Sequence, residues 1–360
     1  MKRRLCWLVL GMFLVGMLTM VVACEDPEPD EPVVDPDEEV EEEVDEEVVE
    51  EEVDEDTVEF LSIVTGGTGG VYFPYGGGMS TVINRHVPYL RATAEVTGAS
   101  VENTRMIAEE TAELALIMND VAYMAYNGIG EHFEGDPQPI RTIFAMYPHH
   151  YHVVVLEDSD VETIDDIRGK TVSVGAPGSG TEFKTDLVLS TLGISYDEFD
   201  VVRLPFAETG DDLRDGRIDV GIWDVAAPTS SIEEVTATRD IRIISFSDEE
   251  IDTITTEHPF YSRFEMEPGT YAGQDEPVVN PSVWNSVVAH EDYPEDYVYD
   301  IVSSMFENID HLIAIHHFAE FSTAENTMEH AVIPLHAGAV RYFEEQGIDI
   351  PDELIPPEMQ

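Results

Sequence analysis

The stretch RTIFAMYPHHYHVVV, residues 141–155, is the longest apolar run of extended character in the body of the sequence. Before it, short β-rich runs alternate with helical patterns, and after it the same alternation begins again. Alternation of this kind predicts parallel sheets with crossover helices. We therefore predict two α/β units joined by an extended crossing segment.

The same patterns predict the other elements. Strands are predicted at 58–64, 91–96, 114–118, from 171, 201–204, 220–224 and 282–290. Helices are predicted at 101–110, from 121, at 297–307 and at 309–320. The last of these helices contains the pair His316 and His317, which its apolar pattern marks as structural.

Loops rich in Gly, Ser, Thr, Asn or Asp follow five of the predicted strands. In open α/β sheets ligands bind at the carboxyl ends of strands, where helix N-termini expose backbone N–H groups. Helix capping explains any single loop. Five in series, with paired glycines that let a ligand approach the backbone, predict a binding cleft between two lobes. The loops are GGTGG-VY, TGAS-VEN, MND-VAY, GAPGSG-TE and WDVAAPT.

The N-terminal segment predicts export. Residues 1–23 have a basic start, an apolar run and small residues before Cys24, which together predict a signal peptide. The sequence Val-Val-Ala-Cys resembles the lipobox of bacterial lipoproteins, in which the cysteine is lipidated; an uncleaved transmembrane anchor is the alternative. Residues 24–57 hold 21 acidic and no basic residues, which predicts a disordered acidic tether.

The acidic charge is not confined to the tether. The formal net charge is −59, and residues 58–360 alone contain 55 acidic and 14 basic residues, a net of −41. The only lysines are Lys2, Lys170 and Lys184. This composition predicts a hydrated surface suited to strong salt, where screening reduces self-repulsion. It excludes nucleic acid as a partner, because phosphate binding requires a basic face.

Eight motifs follow one another along the chain: TGGTGGVYFPYGG, TGASVEN, DVAYMAYNG, HVVV, VSVGAPGSGTE, DGRIDVGIWDVAAPT, GTYAGQDE and IPLHAGAVRYF. In this order they resemble the TAXI family of solute-binding proteins that serve TRAP transporters. The resemblance implies a type II periplasmic-binding-protein fold, two α/β lobes joined by a hinge with the ligand cleft between them. It also implies delivery of a small organic anion or amino acid to a TRAP membrane permease.

With this resemblance, we predict a monomer whose first lobe covers 58–149 and whose second lobe covers 150–275. Residues 276–360 return to the first lobe and form the C-terminal helices. The protein is expected outside the cytoplasmic membrane, anchored through lipid on Cys24. No enzyme activity, catalytic residue, cofactor or metal is expected.

Carried over by position, the resemblance implies ligand contacts from both lobes. Family members commonly carry Gln where Asn119 stands, and a small or hydroxyl residue where Asp224 stands. Asp224, together with Asp120, is therefore expected to favour a positive group on the ligand. Tyr72 is placed at the mouth of the first loop. The implied ligand-binding residues are Thr68, Gly69, Gly70, Tyr72, Ser100, Asn103, Asn119, Asp120, Ser179, Gly180, Thr181 and Asp224.

The expected ligand is a small carboxylate, an amino acid such as glutamate or glutamine, with a C4 or C5 dicarboxylate second. A ligand-binding sensor lipoprotein of the same fold is the alternative, and a neighbouring permease gene would distinguish transport from sensing. A secreted hydrolase is a weaker alternative, because Pro177 stands where a nucleophile elbow around Ser179 needs glycine.

Three histidines in the crossing segment could bind a metal. His150 and His152 would share one strand face beside His149, but no H-E-x-x-H motif or cysteine cluster accompanies them. We therefore predict hinge histidines that make hydrogen bonds rather than a metal site.

Overall fold

The computed structural model describes residues 58–360. Residues 1–57, which contain the predicted signal peptide, Cys24 and the acidic tether, lie outside the described residues. Within the described part of the chain, none of the helices combines the length and hydrophobicity needed to cross a bilayer.

The first lobe begins with three β–α units. Strand β1 pairs in parallel with both β2 and β3. All five residues of β3 are buried, and alternate residues belong to hydrophobic clusters on opposite faces of the sheet. A strand covered on both faces is continuously apolar, as LALIM is. The elements are β1 (Glu59–Val64), α1 (Tyr72–His86), β2 (Leu90–Glu95), α2 (Ser100–Ala108), β3 (Leu114–Met118) and α3 (Asn119–Asn127).

Two long antiparallel strands connect the lobes. Strand β4 (Ile140–Leu156) has 17 residues and β10 (Val278–His290) has 13. They pair from His150 opposite Ser282 to Ile140 opposite His290, with a register shift between Trp284 and Ser286. β10 also pairs with β3 of the first lobe. The predicted crossing segment is therefore confirmed as a strand, and the proposed lobe boundary after residue 149 falls inside it.

The second lobe contains the elements between these two strands. β5 pairs in parallel with β6 and β7, whereas β7 and β8 run antiparallel to β4, and β9 antiparallel to β10. The elements are β5 (Thr171–Ser173), α4 (Gly180–Thr191), β6 (Asp200–Val202), α5 (Phe206–Arg214), β7 (Val220–Val225), α6 (Ser230–Thr236), β8 (Ile241–Ile243), α7 (Asp248–Glu257) and β9 (Tyr261–Met266).

The C-terminal helices pack on the first lobe, with α11 against α8 and α8 against α1. The predicted single helix over 309–320 is wrong. The chain leaves the helix at Ile313 because His316 is extended and its ring Nδ1 accepts a hydrogen bond from Phe318 N (3.3 Å), which starts a 3₁₀ turn. The helices are α8 (Glu295–Glu307), α9 (Ile309–Ile313), α10 (Ala324–His330) and α11 (Ala337–Glu345).

The strand order is β2-β1-β3-β10-β4-β7-β5-β6, with β8 on β4 and β9 on β10. Parallel β–α units lie on either side of the two crossing strands, so the carboxyl ends of strands from both lobes face a common gap. This is the predicted type II periplasmic-binding-protein fold.

Candidate functional site

A cavity of about 460 Å³ lies between the lobes. Its size is within the range of small-molecule sites. The first lobe contributes the loops after β1 and β2 and the last residue of β3, and the second lobe contributes the loops after β5 and β6 and the end of β7. The lining residues include 66–72, 96–100, Met118, His149, Ala176, Pro177, 179–181, 205–208, Asp224 and Val225.

Most of the residues predicted from the sequence line this cavity. Their contact with a ligand remains a prediction, but the fold brings them together from both lobes. They are Thr68, Gly69, Gly70, Tyr72, Ser100, Ser179, Gly180, Thr181 and Asp224. Asn103, Asn119 and Asp120 are not among the lining residues, and each of them makes hydrogen bonds within the protein.

Asn103 connects the ends of the first-lobe strands. Its amide donates to the carbonyls of Thr65 (2.7 Å) and Leu116 (2.9 Å), and its side-chain oxygen accepts from Thr97 Oγ1 (2.6 Å). This residue is buried and its hydrogen-bonding capacity is used inside the lobe. Asn103 therefore positions the loops of the site and is not among the residues that line the cavity.

Asn119 and Asp120 are also used internally. The Asn119 amide donates to His330 O (2.7 Å), and its oxygen accepts from Ser286 Oγ (2.7 Å). Asp120 accepts from the Tyr261 hydroxyl (2.7 Å), which joins α3 of the first lobe to β9 of the second. Burial raises the pKa of Asp120 to about 7, although Lys184 and Tyr261 oppose the shift. Neither residue is among those that line the cavity.

The N-termini of α2 and α4 meet at the cavity. Ser100 Oγ accepts from Met118 N (3.1 Å) and Ser179 Oγ accepts from Glu182 N (3.0 Å), so both hydroxyl hydrogens remain able to donate. A Cβ on Gly180 would lie 2.7 Å from Ser100 Oγ, which shows how closely the two helix starts approach. The first N–H groups of a helix have no intrahelical acceptor. In α2, Val101 N and Glu102 N donate to Gly178 O, and the remaining N–H groups of the two first turns make this junction suited to an anion.

Hydrogen bonds to backbone carbonyls hold the lobes together across the cleft. The carbonyl of Gly69 accepts from Thr229 Oγ1 (3.1 Å) and Ser231 Oγ (2.8 Å) of the second lobe. The carbonyl of Gly178 in turn accepts from Val101 N (3.1 Å) and Glu102 N (3.2 Å) of the first lobe. The structure therefore has the two lobes in contact, in the arrangement expected of a closed cleft.

The glycines of the first loop have a role that the sequence did not reveal. A Cβ on Gly69 would lie 2.8 Å from Ala207 N, and one on Gly70 would lie 3.1 Å from the Phe206 ring. Both neighbours belong to the second lobe. The missing side chains therefore admit the opposite lobe, whereas the sequence suggested that they admit the ligand.

Asp224 is already paired with a cation. Its Oδ1 lies 3.1 Å from Lys184 Nζ, and both side chains are fully buried. Lys184 Nζ also donates to Pro281 O (3.2 Å) and lies 4.9 Å from the centre of the Tyr261 ring. Burial raises the pKa of Asp224 and lowers that of Lys184, and their mutual attraction opposes both shifts. The Lys184 ammonium therefore already supplies the positive charge that Asp224 was expected to require from the ligand.

His149 lines the cavity and is not among the ligand-binding residues predicted from the sequence. It is 4% exposed, and neither ring nitrogen has a hydrogen-bond partner within residues 58–360. Burial, followed by the charge of Lys184, holds its pKa well below the ordinary value, so the ring is neutral at pH 7. A neutral imidazole offers one donor and one acceptor.

The neighbouring histidines have other environments. His152 donates from Nδ1 to His150 O (2.6 Å), and its Nε2 lies 3.2 Å from the Tyr271 hydroxyl, so the predicted hydrogen-bonding hinge histidine is confirmed for His152. The His150 ring stacks on Phe264 at 3.4 Å between centres. Among the described side chains, no group of three or more His, Cys, Asp or Glu residues has a geometry suited to a metal ion.

Tyr72 forms a wall of the cavity beside His149. The two ring centres are 5.0 Å apart, and the Tyr72 hydroxyl donates to Asn285 Oδ1 on β10. Burial raises the pKa of Tyr72 well above its ordinary value. Its hydroxyl hydrogen is therefore used to hold the first loop on the crossing strand, and its ring is the part that a ligand would contact.

The model of the NMT1-like family matches residues 63–347. The chain belongs to the NMT1-like family. Solved structures of low identity are also similar. The periplasmic aliphatic sulphonate binding protein SsuA from Escherichia coli is 13% identical, with 82% of this chain and 96% of that chain covered and a TM-score of 0.41. A putative L-cystine ABC transporter protein from Listeria monocytogenes is 11% identical, with 76% and 99% covered and a TM-score of 0.46.

Proposed function

We propose that this protein is an extracytoplasmic solute-binding protein that captures a small carboxylate and delivers it to a TRAP-type permease. One observation carries the proposal: helix N-termini and glycine loops from two lobes enclose a single cavity and contact each other across it. An enclosed site with convergent polar groups is typical of ligand capture. Binding without catalysis is the function that this arrangement supports best.

The cavity is suited to one anionic group. The junction of α2 and α4 offers the Ser100 and Ser179 hydroxyls and those N–H groups of the first helical turns that are left after Val101 and Glu102 donate to Gly178 O and Glu182 donates to Ser179 Oγ. A helix N-terminus contributes about 0.3–1 kcal/mol to an anion, rising to about 2 kcal/mol when partly buried. Capture at micromolar concentration needs roughly 8 kcal/mol. Several direct hydrogen bonds must therefore supply the rest, which requires contacts from both lobes.

The rest of the cavity is suited to an uncharged ligand body. Within the described chain, no arginine or lysine is among the lining residues, whereas Val71, Met118, Phe206 and Val225 are. A second carboxylate would have no cation to contact there. This argues for a monocarboxylate over a C4 or C5 dicarboxylate.

The anchoring part of the proposal rests on the sequence alone. The signal at 1–23, the lipidated Cys24 and the acidic tether at 24–57 would hold the binding lobes near a membrane permease. The transport partner is inferred from the TAXI resemblance. Growth and uptake measured with and without a permease encoded beside this gene would test the partner.

Titration calorimetry of the purified protein tests ligand capture. Glutamate, glutamine, C4 and C5 dicarboxylates and simple monocarboxylates would be titrated, and solution scattering would record compaction for any compound that binds. We expect a monocarboxylate-containing compound to bind and to compact the protein. If none of the compounds that bind compacts the protein, or if no carboxylate binds, the proposal is refuted.

A further inference from the structure

The cavity has an exposed rim and a buried end. Pro205, Ala207 and Glu208 at the rim are exposed, whereas His149 and Asp224 at the opposite end are 4% and 2% exposed. The buried end lies on the hinge, because His149 is in crossing strand β4 and Asp224 is near the end of β7, which pairs with β4. A ligand anchored at the helix junction would point its other end toward these two residues.

Three buried polar atoms at this end have no partner. Within residues 58–360, the atoms without a hydrogen-bond partner at this end are the two ring nitrogens of His149 and Oδ2 of Asp224. Buried polar atoms in proteins are nearly always hydrogen-bonded, and leaving one without a partner is unfavourable. A ligand group that both donates and accepts could donate to Asp224 Oδ2 and accept from the protonated ring nitrogen of His149. A hydroxyl or a primary carboxamide does this, whereas a methyl group does neither.

The charges at the buried end argue against an ionic group. Lys184 Nζ lies 3.1 Å from Asp224 Oδ1 and neutralises that carboxylate. An ammonium on Oδ2 would approach the Lys184 charge, and a carboxylate would approach Oδ2 itself. Like charges repel strongly in a buried environment. Asp120 offsets the charge of a ligand ammonium only in part, because its carboxylate already accepts from Tyr261 and it is not among the lining residues.

We propose that the ligand is a monocarboxylate that also carries an uncharged hydroxyl or primary carboxamide, which His149 and Asp224 recognise at the hinge end of the cavity. This inference rests on the proposed function and specifies its substrate class. It replaces the ammonium-bearing ligand that the sequence suggested from Asp120 and Asp224.

A matched ligand series tests the inference. Carboxylates of increasing chain length whose other end is a hydroxyl, carboxamide, methyl, ammonium or second carboxylate group would be titrated into the protein by calorimetry. At the best length, we expect the hydroxyl or carboxamide compound to bind at least about tenfold more tightly than the methyl and ammonium compounds. Equal or tighter binding of the methyl or ammonium compound overturns the inference while the proposed function stands. No binding by any member refutes both.

Two histidine variants assign the preference to His149. His149→Phe removes both ring nitrogens and keeps an aromatic ring beside Tyr72, so the preference for hydroxyl or carboxamide over methyl should largely disappear. His150→Phe is the matched control, because His150 is also buried with both ring nitrogens unpartnered in the described chain, yet it does not line the cavity. It should keep the preference.

Thermal melting without ligand separates folding from recognition. His149→Phe should melt no lower than the parent, since it removes unpartnered buried nitrogens. If that variant does not fold, His149→Gln, which keeps a donor and an acceptor, must retain part of the preference. An undiminished preference in His149→Phe, or the same loss in His150→Phe, overturns the assignment.

Discussion

Gly69 contacts the second lobe so closely that adding one methyl group, in Gly69→Ala, tests whether the cleft closes. In Gly69→Ala, the new Cβ would lie 2.8 Å from Ala207 N and 3.3 Å from Ala207 Cα. Both are backbone atoms of the opposite lobe, so a rotamer change cannot relieve the clash. Overpacking of this kind costs about 1–3 kcal/mol. Because only the closed form has the contact, ligand binding should weaken by roughly 5- to 150-fold.

Calorimetry with the tightest-binding carboxylate measures this loss, and scattering measures compaction at saturating ligand. The melting temperature without ligand should not fall, because an open cleft relieves the contact and alanine restricts the unfolded chain. Gly77→Ala is the matched control: its Cβ would meet no atom within 4 Å in helix α1. Parent-like affinity and compaction in Gly69→Ala would refute the inferred closure.

Four further predictions concern closure, the buried charges and the acidic surface. Thr229→Val removes one bond to Gly69 O and should weaken ligand binding by roughly 2- to 10-fold in calorimetry. Lys184→Met leaves Asp224 buried without its cation and should lower the free energy of unfolding by about 3–5 kcal/mol in urea, with Asp224→Asn in the same chain recovering most of the loss. Burial raises the pKa of Asp120 to about 7, so its contribution to stability is complete below about pH 4 and is lost as the pH rises through 7. The stability of the parent relative to Asp120→Asn should therefore fall by up to about 1.4 kcal/mol per pH unit over that interval, and a flat difference would contradict the shift. Finally, the net charge of −41 over residues 58–360 predicts a lower melting temperature in millimolar than in molar salt, and an unchanged melting temperature would contradict this prediction.

The fold could be predicted because its signals are local. LALIM was assigned to the same five residues that form β3, since a strand buried on both faces is continuously apolar. The crossing segment β4 was recognised by its length and its apolar character. Helix α3 begins at Asn119 rather than at the predicted Val121. Asn119 and Asp120, which open the helix, make hydrogen bonds to Ser286, His330 and Tyr261 on distant elements. Local sequence patterns do not show such partners.

The site was only partly predictable, because its chemistry depends on pairs that are far apart in the sequence. Asp224 was identified as a cavity residue, but its partner Lys184 lies 40 residues earlier on another element. A usable signal was present. Lysine is nearly absent from this acidic chain, so Lys184 is unusual in the sequence itself, and the structure buries it together with Phe183 and Thr185. Lysine is almost never fully buried unless it is paired.

Favourable and unfavourable contributions to the free energy of cleft closure are of similar size. This near balance explains how a ligand can control closure. Four hydrogen bonds cross between the lobes at Gly69 and Gly178, and at about 0.5–1.5 kcal/mol each they favour closure by roughly 2–6 kcal/mol. The unpartnered polar groups of His149 and Asp224 within the described chain oppose it, at about 1–3 kcal/mol for each of two residues, roughly 2–6 kcal/mol in all. With these terms near balance, a ligand that satisfies the hinge-end atoms removes the opposing term and shifts the population to the closed form. A ligand that carries only the carboxylate would leave the opposing term in place, so it should bind without full compaction.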